Sequence, residues 1–168
     1  LINSKGDVIG INTMIYSPAG GSVGIGFAVP IDTARRIVPE LIANGRVARG
    51  WIDITPVQVF PQLVRYAGLS VDKGILVSKV TAGGEAARAG LKGGDPNQGV
   101  RYGQSILYLG GDIITAINGV EVGALADLYS ALESSKPGDK VKLTVVRGAK
   151  KLELTVPLVQ RSDKDQLE

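Results

Sequence analysis

The 168 residues include no histidine and no cysteine, which restricts the chemistry the side chains can do. Without histidine, the usual base of a Ser-His-Asp triad and the commonest metal ligand are both missing. Without cysteine there is no disulfide framework, thiol nucleophile or zinc-thiolate site. What remains is recognition by the backbone. In Arg49-Gly50-Trp51-Ile52-Asp53-Ile54 a flexible cationic lead-in runs into a branched, aromatic strand start. A turn flowing into an edge strand leaves successive N–H groups pointing one way, and such a nest suits an anion, a C-terminal carboxylate included. The same residues also fit an ordinary strand leaving a linker.

Two other patterns invite chemistry. The Gly94-Asp95 and Gly111-Asp112 repeats allow an acid-base or calcium-binding carboxylate pair, yet Asp after Gly is an everyday turn and cap choice. Gly20, Gly21, Gly24 and Gly26 suggest a phosphate loop, but no Gly-Lys-Ser/Thr follows and no helix opens directly from them. No metal site and no cofactor is expected.

Composition bounds the class. A chain with 44% hydrophobic and 21% charged residues is that of a folded globular protein. No apolar run approaches the roughly 20 residues of a membrane span, and no signal-like segment opens the chain. The net charge of +3 is dispersed; only Arg147 to Lys151 is locally basic, and it reads as a hairpin turn rather than a nucleic-acid surface. The first residue is not Met and the opening reads as mid-strand, so a piece of a longer protein is expected.

Residues 7 to 16 and 23 to 29 read as strands around a Pro/Gly-containing loop. Pro30-Ile31-Asp32 introduces a helix with Asp32 as N-cap and Asn44-Gly45 as its stop. Helical spacing marks residues 61 to 69, and alternation marks a strand over 73 to 80. Residues 83 to 91 read as a turn, one helical turn and a Gly-Leu corner. Residues 95 to 110 read as a loop or hairpin whose apolar side chains need burial. A strand over 113 to 117 turns at Asn118-Gly119, and a hairpin covers 140 to 147 and 151 to 158. The best helix is 124 to 134, with Leu125, Leu128, Tyr129 and Leu132 on one broad apolar face. Residues 160 to 168 read as a frayed polar end.

Three strings together resemble the HtrA/Deg family of serine endopeptidases at the passage from protease to PDZ domain: Leu1 to Thr13, Gly24-Ile25-Gly26-Phe27-Ala28-Val29-Pro30, and Gly45-Arg46-Val47 with Arg49-Gly50-Trp51. Gly83 to Leu91 is similar to the Ser-Pro-Ala-x-x-Ala-Gly-Leu element of PDZ domains, with Gly84-Glu85 replacing Ser-Pro. Gly111 to Gly119 is similar to their Gly-Asp-x-Ile-x-x-Ile-Asn-Gly signature. Residues 95 to 110 depart from the family as an insertion. The family's nucleophile motif and the His and Asp of its first barrel are absent from the chain.

The resemblance implies a mainly β fold with α elements. Residues 1 to 45 would be an incomplete remnant of a chymotrypsin-like β barrel, two or three strands and a closing helix, with Val23, Gly24, Ile25, Gly26 and Phe27 left from its specificity pocket. Residues 46 to 160 would form a PDZ-like, small, partly open β barrel capped by two helices, and 161 to 168 a tail. Such a module takes C-terminal or unfolded protein segments with apolar ends by strand addition. Arg49, Gly50, Trp51, Ile52, Asp53 and Ile54 would bind the peptide, the backbone N–H groups of Ile52, Asp53 and Ile54 holding its carboxylate, with Leu125, Tyr129 and Leu132 as the opposite wall and Leu128 in the core. Asp53 stands where the family has Gly; its carboxylate either faces solvent or, turned inward, repels the peptide terminus with Arg49 as an offsetting charge. The implied role is substrate recognition and regulation in protein quality control, without catalysis in this chain, in a bacterial envelope or periplasm. The alternative is an assembly element that mediates subunit contacts, so a homo-oligomer is also allowed.

Overall fold

The computed structural model describes residues 1–17 and 23–161. Gly20 and Gly21 of the suggested phosphate loop, and tail residues 162–168, lie outside the described residues. The chain divides into two units, Leu1–Val47 and Ala48–Glu168. Among the described residues no helix is long and apolar enough to cross a membrane.

The first unit pairs β1 (Gly10–Ile15) with β2 (Gly26–Pro30), with a bulge between Asn12 and Met14, and continues into α1 (Ile31–Asn44). Two expectations shift here. The second strand starts at Gly26 rather than 23, because Gly24 adopts φ +79, a left-handed conformation that breaks an extended run. The helix is capped at Pro30 without a side-chain bond, and Asp32 lies inside its first turn beside Arg35 rather than at the N-cap. Pro30 fixes the entry two residues early. Gly45 at φ 68 ends the helix as expected, its N–H on the Leu41 carbonyl. Ile11, Met14, Ile15, Phe27 and Ile42 are exposed. This hairpin and helix do not enclose a core of their own.

The second unit starts with β3 (Gly50–Trp51) and β4 (Ile54–Gln58), then α2 (Pro61–Ala67), β5 (Ile75–Val80) and α3 (Glu85–Arg88). Hairpin β6 (Gly99–Tyr102) and β7 (Ser105–Tyr108) leads to β8 (Ile113–Ile117), β9 (Val120–Glu121) and α4 (Leu125–Leu132). The unit closes with β10 (Lys140–Arg147), β11 (Lys150–Pro157) and β12 (Val159–Gln160). The main sheet is antiparallel in the order β11-β10-β8-β5-β4, with β9 on β8. It stays open, and β4 is an edge.

Its two faces are both covered, and the sequence of β5 shows why. Ile75 and Val77 enter one cluster with Ile114, Leu128, Leu143 and Val156, while Leu76 enters another with Leu63, Leu109 and Ile113. Alternate side chains of one strand thus feed two cores. Residues 95 to 110 form a hairpin. Leu107 and Leu109 provide the burial its apolar residues require, whereas Tyr102 and Ile106 stay exposed.

The two Gly-Asp repeats do not form a carboxylate pair. Asp95 caps the short turn Pro96–Gln98 through the Asn97 N–H. Asp112 is wholly buried, held by Arg147 Nε at 2.6 Å and Nη2 at 2.7 Å and by the Lys92 N–H at 2.9 Å. Among the described residues no acidic cluster could hold a metal ion.

Candidate peptide-binding site

Gly50 must be glycine, since a Cβ there would stand 2.7 Å from the Lys136 carbonyl oxygen and 2.8 Å from Leu158 Cδ1. This close approach lets β3 lie against the end of the chain, where β12 pairs with it, Val159 opposite Trp51 and Gln160 opposite Gly50. The chain then turns through Ile52 and Asp53 into β4. Ile52 is wholly buried, and its carbonyl accepts the Ile54 N–H at 2.8 Å. A peptide carboxylate reaching that amide must displace the Ile52 carbonyl.

Across from the loop stands α4. Leu128 and Leu132 are buried, and Tyr129 stacks on Trp51 at 5.5 Å between centroids with 15° between planes. Arg161 lies over both rings, 4.5 Å from Trp51 and 5.1 Å from Tyr129, and its backbone N–H donates to the Arg49 carbonyl at 3.0 Å. A cavity of about 330 Å³ opens here, lined by Arg49, Gly50, Trp51, Tyr129 and Leu132 together with Arg161 and the last turn of α4. At the other end of the helix the Leu125 N–H donates to Gln58 Oε1 at 3.2 Å, fixing α4 beside the last residue of β4.

The start of α4 is held by Asp127, whose carboxylate accepts the N–H groups of Gly123 at 2.9 Å and Ala124 at 2.8 Å. These bonds, Gly123 first, hold its pKa below the ordinary carboxylate value. Asp127 thus supplies the N3 half of a capping box, reaching back to the N-cap amide, while Ala124 has no side-chain acceptor for the other half.

The PDZ domain model matches residues 67–158, more than half of the chain. The chain belongs to the PDZ domain family. It is 39% identical over 158 residues to the periplasmic pH-dependent serine endoprotease DegQ of Escherichia coli K12, covering 94% of this chain and 31% of that protein. It is 40% identical over 164 residues to the chloroplastic Protease Do-like 1 of Arabidopsis thaliana, covering 97% and 35% respectively. Among solved structures it is similar to an HtrA-type protease AlgW with decapeptide, at 33% identity and TM-score 0.70, over 94% of this chain and 43% of that one. The chain thus spans about a third of the length of these curated relatives and aligns with a PDZ-containing part of HtrA-type proteases.

Within the PDZ unit, Arg49, Gly50, Trp51, Tyr129 and Leu132 line one cavity, while Ile52, Asp53, Ile54 and Leu125 lie outside its lining. Val23, Gly24, Ile25, Gly26 and Phe27 are exposed in the first unit. Asp53 takes neither orientation expected of it: its Oδ1 accepts the Ala86 N–H at 2.9 Å, at the start of α3. Arg161 is also a correction. It reads as part of a frayed end, but β12 carries the chain past Gln160 and lays the guanidinium on Trp51. No local pattern marks that contact, because it depends on a strand pairing between residues over 100 apart in sequence. Gln58 was missed for a similar reason, its partner amide being 67 residues away.

Proposed function

We infer that the PDZ unit is a peptide-recognition module that takes C-terminal or unfolded segments with apolar ends. The observation that carries this reading is the edge of β4, unpaired on one side among the described residues and faced by α4, with the lined cavity at its Ile54 end. A peptide adds as a strand along β4, its carboxylate at the amides of Ile52, Asp53 and Ile54, its last side chain toward Leu132. The decapeptide of the similar AlgW structure supports peptide recognition by this kind of chain. The unit acts as a small, partly open barrel whose sheet is covered by α2 on one face and α4 on the other.

In the longer protein this module serves an HtrA-like serine endopeptidase in protein quality control, and the chain itself contributes recognition rather than catalysis. Residues 1 to 45 are the last strands and closing helix of a chymotrypsin-like barrel, with Val23 to Phe27 from its specificity pocket; the exposed apolar face of α1 and its hairpin fits elements cut from a larger core. The periplasmic relatives favour a bacterial envelope location over the chloroplast of the plant one.

A second reading has one specific observation behind it. Tyr102 and Ile106 of the β6–β7 hairpin are exposed, and Tyr102 packs on Phe60 at 5.1 Å, a surface suited to subunit contact in a homo-oligomer. Titration with an apolar-ended peptide, free and amidated, beside sedimentation of wild type and Tyr102→Ser, separates the two. Carboxylate-dependent binding supports recognition; binding indifferent to amidation, with self-association lost in the variant, supports assembly.

A further inference from the structure

Asp53 is tied twice to the connection between β5 and α3. Its backbone carbonyl accepts the Thr81 N–H at 3.0 Å, and its carboxylate accepts the Ala86 N–H. Ala86 is the second residue of α3, so this carboxylate satisfies one of the N–H groups that a helix start leaves without a partner. The helix's own cap position, Gly84, has no side chain to do so. Gly84 has φ −73 and ψ 173, an extended conformation open to any residue and typical of an N-cap serine. Space is what keeps a side chain out, because a Cβ on Gly84 would overlap Asp53 Oδ2 and displace that carboxylate, with the Thr81 carbonyl oxygen a further 3.1 Å contact.

Each residue therefore explains the other. Position 53 carries a side chain that fills the room left at 84, and that side chain does the capping that 84 gave up. Asp53 also lies between buried Ile52 and Ile54, the two apolar anchors of the loop assigned above to the peptide carboxylate. Its two bonds fix the middle peptide unit of that loop against α3.

We propose that Asp53 and Gly84 are a matched pair that positions the carboxylate-binding loop, with Asp53 a positioning residue on which selectivity for a free peptide terminus depends. This rests on the peptide-binding reading of the groove. The carboxylate of Asp53 is directed at an amide of α3, so it holds the nest in shape from behind instead of competing with the ligand for it.

The test compares wild type, Asp53→Gly, Asp53→Asn, Gly84→Ser and the double variant Asp53→Gly/Gly84→Ser in the full chain. Two quantities are read well below the unfolding transition: the affinity ratio of an apolar-ended peptide with free and amidated terminus, and hydrogen exchange at the Ala86 amide. Wild type should discriminate by about tenfold or more, the scale of a charge-assisted bond to backbone amides. Asp53→Asn should keep that ratio, since its side-chain oxygen still accepts from Ala86. Asp53→Gly and Gly84→Ser should each reduce it to about threefold or less on the same scale and speed exchange at Ala86. The double variant should recover slow exchange at Ala86, the introduced hydroxyl capping α3 in the space that the aspartate vacates, but not the ratio, since no side chain at 53 then ties the loop to α3. Faster Ala86 exchange with an unchanged ratio in Asp53→Gly would overturn the positioning role while leaving the groove reading intact, and so would a double variant that regains the ratio without the aspartate. Absence of discrimination in wild type would remove the groove reading and the proposal with it. If Gly84→Ser does not fold, the contrast between Asp53→Gly and Asp53→Asn decides.

Discussion

Arg147 does for Asp112 what water would do outside the protein. Two hydrogen bonds hold a carboxylate with no exposure, and the second guanidinium nitrogen also reaches the Gly90 carbonyl at 2.7 Å. The bond to Asp112 raises the arginine's pKa further, which keeps the cation charged. Removing one partner of a buried pair leaves an uncompensated charge, so Arg147→Met should lower unfolding free energy by about 3–5 kcal/mol. Denaturant unfolding checks this, and an unchanged midpoint would contradict it. Asp127 gives a pH prediction with a defined sign. Its folded-state pKa is depressed, so its hold on Gly123 and Ala124 is complete above the ordinary value of 3.8 and is lost as pH falls through the lower folded value. Amide shifts of Gly123 and Ala124 should titrate with a midpoint below 3.8; a midpoint above it would count against the bonds. At this scale sequence reading was weakest. Asp53 and Arg161 were placed by residue type and position alone, and both find partners through pairings of distant segments.

Among the elements, α4 separates packing from recognition along a single helix. Leu128 is wholly buried in the main core, while Tyr129 keeps 40% exposure over Trp51. Leu128→Ala should cost about 2–5 kcal/mol through loss of contacts and the cavity left behind. Tyr129→Ala should cost less, about 0.5–1.5 kcal/mol for the lost stack, yet weaken peptide binding more than a folded Leu128→Ala protein does. Equal stability losses in the two variants, measured by thermal or denaturant unfolding, would place Tyr129 in the core. This helix was legible because Leu125, Leu128, Tyr129 and Leu132 repeat at helical spacing, and the β10–β11 hairpin because its strands flank a turn. Strand β2 and the α1 cap were misplaced for local reasons, a left-handed Gly24 and an early Pro30. That β3 would pair with β12 was not legible, since two-residue strands carry no period.

Taken whole, the chain divides between a unit that has its own cores and a unit that does not. The PDZ unit buries apolar side chains on both faces of its sheet, whereas among the described residues of the first unit only Ala34 is a buried hydrophobic. Deleting residues 1–47 should therefore leave a cooperatively folding protein; loss of a single sharp unfolding transition in the remainder would contradict the division. The central claim is that a peptide terminus is received between the loop of Ile52 to Ile54 and α4. Chemical-shift mapping with an apolar-ended peptide tests it most directly. The account predicts perturbations at Ile52 to Ile54 and Leu125 to Leu132 that shrink when the terminus is amidated, as charge-assisted bonds worth roughly 1.5–3 kcal/mol are lost. Perturbations confined to residues 95 to 110, with the loop and α4 unmoved, would contradict it.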